Sequence, residues 1–173
     1  MSNFFFNVFF LFFEPPFFFA FGVMASVIIG DDVHDALQSV IDGKVNWVLL
    51  TYAPKTNKLS FTSEDESGRN CLDESVCDDL LEELSEARIH FVYLRQSVEH
   101  AHTVATKTLL VTWCGQGCAT TVKSQFQAIV TALDHYMERF HMVLAAKVAA
   151  KTEEELRFGL KEQLWRLSES KQA

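Results

Sequence analysis

Three segments of this chain are apolar on both faces, and they restrict the fold more than any other feature. They are WVLLTY at residues 47–52, IHFVYLR at 89–95 and TLLVTWC at 108–114. A strand with large apolar side chains on both faces needs cover on both sides of its sheet. The sequence therefore predicts a central sheet enclosed between two layers of helices.

Amphipathic helices supply that cover. Helical spacing or helix signals occur at residues 31–41, 73–87, 123–140 and 152–167, and a capping box of Thr152 and Glu155 opens the last helix. Further strands are predicted at 59–62, paired with the first strand as a hairpin, and at 141–146, while 96–106 is predicted as a loop. These elements predict an α+β fold, with a mixed sheet of five to six strands between helices, in a single domain of residues 24–173.

The first 23 residues differ from the rest in composition. Eleven of the 16 phenylalanines lie between Phe4 and Phe21, and no lysine or arginine precedes Lys44. Glu14, Pro15 and Pro16 divide the segment, so it lacks the roughly 20 apolar residues of a membrane span and the basic start of a signal peptide. We expect an upstream extension outside the fold, with Met24 as the start; an anchor or targeting segment and a folded part of the domain are the alternatives.

Charge and cysteine content limit the functional classes. The formal net charge is -8, which disfavours general nucleic-acid binding. The cysteines fit no disulfide scaffold of a small secreted protein, and the spacing between Cys71 and Cys77 is wider than in structural zinc sites. A thiol or metal enzyme that uses Cys114 and Cys118 is an alternative, although no nucleophile–base pair is evident. We expect no catalytic site, metal or cofactor.

The segment KTLLVTWCGQG at 107–117 stands out among the motifs. A predicted strand runs into a turn at Gly115 and Gly117, and Lys123 then stands at the predicted start of the long helix. A tight turn accounts for the glycines. A cation at a helix start opposes the helix dipole, so this position favours a function for Lys123 over a merely solvated side chain.

This order of parts resembles the actin-depolymerising-factor homology domain, particularly its coactosin and drebrin-like branches. The resemblance covers roughly residues 31–166. It implies a monomeric, non-enzymatic actin-binding protein of the cytoplasm and cytoskeleton that prefers filaments to monomers, with no membrane partner. Actin is itself acidic, so binding would need local basic groups and would weaken with salt.

The resemblance also implies site residues by position. The start of the long helix, one actin contact of the family, corresponds to Lys123, Ser124 and Gln125. Basic positions of the filament site correspond to Lys107, Lys161 and Arg166.

The last helix departs from the family pattern. It begins with three glutamates and holds Trp165 near the expected basic cluster. An alternative is therefore the same fold binding an Arp2/3-type actin-nucleating complex, as in the glia-maturation-factor branch, or actin monomers.

Overall fold

A computed structural model describes residues 26–65, 74–100 and 103–169. Within these ranges the strands are β1 (Ile28–Ile29), β2 (Trp47–Ala53), β3 (Lys58–Asp65), β4 (Ile89–His100), β5 (Thr103–Cys114) and β6 (Ala146–Ala150). The helices are α1 (Asp31–Ile41), α2 (Glu74–Glu83), α3 (Thr120–Lys123), α4 (Phe126–Arg139) and α5 (Glu153–Glu169).

The strands form one mixed sheet of six, in the order β1-β3-β2-β4-β5-β6. The central pairs β2–β3, β2–β4 and β4–β5 are antiparallel, whereas the edge strands β1 and β6 run parallel to their neighbours. One face packs under α1 and α4, and the other packs under α2 and α5. The predicted α+β architecture, with a mixed sheet between helix layers, is confirmed.

The two-faced strands divide their side chains between two cores, as strand alternation requires. In β4, Phe91 and Tyr93 belong to the core under α1 and α4, while Val92 and Leu94 belong to the core under α2 and α5. All four side chains are buried. The absence of a polar face in this strand is therefore explained by helices on both sides of the sheet.

Two strand predictions are wrong. The predicted loop at 96–106 is instead the outer part of a hairpin, in which β4 and β5 stay paired from Ile89 opposite Cys114 to His100 opposite Thr103. The predicted strand at 141–146 is displaced, because β6 begins at Ala146 and pairs with β5 from Leu109 onward. The short strand β1 was not predicted.

The long helix begins later than predicted. The four-residue helix α3 ends at Lys123, and α4 starts at Phe126. Lys123 thus lies in the last turn of α3, where a cation is favoured by the helix dipole. The dipole argument for a functional Lys123 is wrong, and the case for this residue depends on its surroundings.

The glycines of the 115–117 turn have a different role from the one predicted. Neither has a positive φ. A Cβ added to Gly115 would lie 2.1 Å from the carbonyl oxygen of Glu86, in the loop between α2 and β4. Gly115 is required by the close approach of two backbones, not by the turn conformation.

The capping box at the start of α5 is present in a modified form. The Thr152 hydroxyl accepts a hydrogen bond from the Glu155 backbone N–H at 3.2 Å, as predicted. The Glu155 carboxylate accepts from the Lys151 N–H at 2.8 Å, one residue before the cap. Two free amides at the helix start are therefore satisfied by side chains.

Gly159 lies inside α5, where alanine is intrinsically better by about 1 kcal/mol. Its position against β6 reverses that preference, since an added Cβ would lie 2.6 Å from Cγ1 of the buried Val148. We expect Gly159→Ala to lower the free energy of unfolding by about 1 kcal/mol, because the cost of overpacking exceeds the propensity gain. Urea unfolding of wild type and Gly159→Ala measures this difference in the free energy of unfolding. In a Val148→Ala background the same change should become neutral or stabilising; an equal loss in both backgrounds would contradict the explanation.

Candidate functional site

Lys123 is an exposed cation at the end of α3. Its ammonium group donates a hydrogen bond to the backbone carbonyl of Gln116 at 2.7 Å, within the 115–117 turn. Among the described residues it has no carboxylate partner. The turn therefore holds the side chain in place without neutralising its charge.

The two residues after Lys123 make contacts within the fold. The Ser124 hydroxyl donates to the Thr121 carbonyl at 2.8 Å, so it is turned back onto α3. The buried Tyr52 hydroxyl lies 3.1 Å from Gln125 Oε1 and can donate its single proton either to this oxygen or to Asn57 Oδ1. Burial raises the pKa of Tyr52, so this hydroxyl stays protonated and can serve as a donor.

Tyr52 also connects this region to the first described residues of the chain. Its hydroxyl is 2.7 Å from Asn57 Oδ1, and the Asn57 amide donates to the Ser26 carbonyl at 3.1 Å. Gln125, Tyr52, Asn57 and Ser26 thus form a hydrogen-bonded series. The start of α4, the β2–β3 turn and the chain before β1 meet at one end of the sheet.

The other three predicted residues lie elsewhere. Lys107 is on β5, and strand alternation places it on the same sheet face as Leu109 and therefore on the face covered by α2 and α5. Lys161 and Arg166 are exposed on α5. Lys161 forms no ion pair with a described residue, but Arg166 pairs with Glu162 at 2.6 Å.

By the elements on which they lie, we divide the six residues into two sets. The first, which we call the α4-start set, is Lys123, Ser124 and Gln125. The second, the α5-face set, is Lys107, Lys161 and Arg166. Lys107 lies six residues before Trp113 on β5, a strand length of roughly 20 Å, and is therefore far along this strand from the 115–117 turn that holds Lys123.

A pocket of about 500 Å³ lies beside the α4-start set, and the sequence did not indicate it. Its lining includes Tyr52, Ile89 and Val122, the residue before Lys123. Two exposed cations also line it, Lys55 from the β2–β3 turn and Arg88 from the loop before β4. The residues come from three separated segments, so no local motif could have revealed the pocket.

Next to this pocket, His90 is buried and held in one tautomer. Its Nε2 accepts a hydrogen bond from the Ser85 N–H at 3.2 Å, so its Nδ1 carries the proton and donates to Thr51 Oγ1 at 2.9 Å. The Thr62 hydroxyl donates to the same Thr51 oxygen at 2.7 Å. Burial, with a smaller effect from Arg88, lowers the pKa of His90 to about 4.

The described cysteines lack the environment of catalytic thiols. Cys114 and Cys118 are unpaired and buried. Burial, followed by the neighbouring Cys114, raises the pKa of Cys118, whereas reactive thiols have a lowered pKa. Within the described ranges no three metal-ligating side chains come together. Cys71 lies outside the described residues, as does the side chain of Cys77.

The aromatic leader at 1–23 also lies outside the described residues. Among the helices that the structure describes, none is both long enough and apolar enough to cross a membrane.

Comparison with known proteins gives a consistent family. The family model described as cofilin/tropomyosin-type actin-binding protein matches residues 26–159. Drebrin-like protein A of Xenopus laevis is 23% identical over 128 residues, which are 73% of this chain but 26% of that protein. The chain thus spans about a quarter of the length of this curated relative.

Solved structures share the fold. Coactosin of Entamoeba histolytica superposes with a TM-score of 0.64 at 16% identity, covering 85% of this chain and 99% of the other. Actin depolymerization factor 2 of Plasmodium berghei gives a TM-score of 0.67 at 8% identity, covering 81% and 96%. At these identities the likeness concerns the backbone fold alone.

Proposed function

Since this chain belongs to the family of cofilin/tropomyosin-type actin-binding proteins, we propose that it binds actin filaments and regulates their dynamics. In this proposal it is a non-enzymatic, monomeric protein of the cytoplasmic cytoskeleton. The actin-binding domain is residues 24–173, and the aromatic leader at 1–23 lies outside it. Membership of a family of actin-binding proteins supports actin binding, while the preference for filaments is our inference.

The observation that carries the proposal is the exposed charge of Lys123. In a chain of net charge -8, binding to an acidic polymer requires cations that are not neutralised by the chain's own acids. Lys123 has no acidic partner among the described residues, and its hydrogen bond to Gln116 reduces the entropy that the side chain would lose on binding. The α5-face set is a second contact in the proposal, and its Lys107 and Lys161 form no ion pair with a described residue.

We expect Lys123→Glu to weaken binding to actin filaments by about tenfold, equivalent to about 1.4 kcal/mol. The reason is that an attractive contact at the acidic surface becomes repulsive. Co-sedimentation with filaments over a range of protein concentrations measures the change. The wild-type affinity should also fall as salt is raised, because exposed charges are screened.

Arg139→Glu is the matched control, because it makes the same charge change at an exposed position at the opposite end of α4. It should leave filament binding within about twofold of wild type. Equal binding by wild type and Lys123→Glu, with both proteins folded, would remove Lys123 from the site.

Two observations favour a second candidate. The Arg166–Glu162 ion pair and the acidic first turn of α5 weaken the basic character of the α5-face set. Binding to actin monomers or to an Arp2/3-type actin-nucleating complex, through the α4-start set alone, would need fewer cations. Binding to either partner, with no pelleting on filaments, would select this alternative.

A further inference from the structure

We infer that the pocket beside α3 receives a bulky apolar side chain from an acidic segment of actin. Lys55 and Arg88 would contact the carboxylates that flank this side chain. This inference rests on the proposed function and extends its site to residues that the family resemblance did not indicate. We call this feature the Lys55–Arg88 pocket.

The charge of the lining is the first argument. Every charged residue that lines the pocket is a cation, although acidic residues outnumber basic ones in the chain by 23 to 15. Neither Lys55 nor Arg88 forms an ion pair with a described residue. Two cations and no acidic group in the described lining give this opening a positive charge, which complements an acidic occupant.

The apolar interior is the second argument. Tyr52 and Ile89 are buried, and Val122, Ala53, Pro54 and Ala87 add further apolar lining. The volume of about 500 Å³ lies within the range of roughly 300–1,000 Å³ that is typical of ligand pockets. An apolar side chain that enters it would be removed from water, which is how anchor residues contribute most of the affinity at protein interfaces.

Continuity with the proposed actin contact is the third argument. Val122 lines the pocket and directly precedes Lys123. On the other side, Tyr52 lines the pocket and hydrogen-bonds Gln125. A partner that contacts the α4-start set therefore also contacts the opening of the pocket. Lys55, Arg88 and Lys123 would then face one continuous surface of that partner.

Hydrogen bonds beside the pocket fix the backbone of part of its lining. The His90 imidazole, one residue beyond the lining residue Ile89, is held between Ser85 and Thr51. The Arg88 carbonyl accepts a hydrogen bond from the Gly115 N–H at 3.3 Å. The pocket is thus largely preformed, which lowers the entropy cost of binding.

Three variants of the full chain test the inference by filament co-sedimentation. Lys55→Glu and Arg88→Glu should each weaken binding about tenfold at low salt, and less at high salt because charges are screened. Ala87→Trp should weaken it at both salt concentrations, because the indole fills the pocket. Ala149→Trp adds the same indole at an exposed position on β6 outside the pocket, so it is the control and should bind as wild type does. Ala87 and Ala149 are both exposed, so neither substitution disturbs the core.

Zero-length carbodiimide crosslinking provides an independent readout, because it joins lysine amines only to carboxylates in direct contact. We expect an amide bond between Lys55 and an actin carboxylate. Lys44, which precedes the other end of β2 and pairs with Asp42 at 3.0 Å, should form none. Peptide mass spectrometry identifies the crosslinked residues.

The outcomes separate this inference from the proposed function. Filament binding that Lys123→Glu weakens, but that all three pocket variants leave intact, would overturn the pocket inference alone. An internal crosslink from Lys55 to Glu14, with none to actin, would assign the pocket to the chain's own leader and also overturn it. Failure of the wild-type chain to bind filaments would overturn both.

Discussion

Replacing Gly115 with alanine is expected to lower the free energy of unfolding by about 3 kcal/mol, near the upper end of the usual cost of overpacking. The new Cβ would lie 2.1 Å from the Glu86 oxygen, and 2.4 and 2.6 Å from the Glu86 carbonyl carbon and Cα. These are backbone atoms, so no side chain can rotate away to relieve the contact. The loop between α2 and β4 would have to move.

That loop is attached to the end of β5 by two further hydrogen bonds. The Trp113 indole N–H donates to the Ser85 carbonyl at 3.0 Å, and the Gly115 N–H donates to the Arg88 carbonyl at 3.3 Å. Moving the loop would strain both bonds, and Trp113 is buried. The cost of the alanine therefore extends beyond the immediate clash.

Gly117→Ala is the matched control in the same turn. Its added Cβ would lie 3.1 Å from the same Glu86 oxygen, and Gly117 is exposed. A shift of a few tenths of an ångström relieves this contact, so the free energy of unfolding should change by less than about 1 kcal/mol. Urea unfolding followed by tryptophan fluorescence compares the two variants. Equal effects would show that close backbone approach is not what requires Gly115.

Acidification from pH 6.5 to pH 4 is expected to remove roughly 3 kcal/mol of stability through His90 alone. The pKa of His90 is about 4 in the folded protein, because burial disfavours the imidazolium, whereas histidine in an unfolded chain has its ordinary value of 6.5. Above pH 6.5 His90 is neutral in both the folded and the unfolded protein, so its contribution to the stability is fully present. Between the two pKa values the unfolded chain takes up a proton that the folded chain does not, so stability falls as pH falls.

The variant His90→Gln should lose less stability than wild type over this pH range. A glutamine oxygen can accept the hydrogen bond from Ser85, and the side chain has no proton to gain. His135→Gln, at an exposed position on α4, is the control and should keep the wild-type pH dependence. Urea unfolding at several pH values between 4 and 7 gives the comparison. An unchanged acid loss in His90→Gln would show that another group is responsible.

The sequence predicted the parts of the fold that are stabilised by apolar burial. The two-faced strand at 89–95 and the spacing of Ile129, Leu133 and Met137 identified elements that the structure contains, because burial leaves a periodic pattern. The confirmed family membership likewise depended on the order of these elements and not on any single residue.

Elements that depend on backbone pairing were missed or displaced. The outer part of the β4–β5 hairpin is polar, and β6 reads AKVAA, so neither has a clear strand pattern. The interruption between α3 and α4 occurs without glycine or proline. In each case long-range contacts override local preference.

The candidate site likewise combines features that the sequence indicates with features that depend on the fold. Lys123 could be selected because it follows a recognisable strand and turn, but its hydrogen bond to Gln116 and its place at the end of α3 depend on the fold. Lys55 and Arg88 are separated by 33 residues along the chain, and they line the same pocket only because their strands are neighbours in the sheet. Proximity between residues so far apart in the chain cannot be recognised from a single sequence.

The bonds that join Ser26, Asn57, Tyr52 and Gln125 have a practical consequence for anyone who labels this protein. Ser26 therefore lies beside the surface to which we assign actin. A fluorescent reporter or affinity tag fused directly before Ser26 would begin beside the proposed filament contact, and its effect could be mistaken for weak affinity.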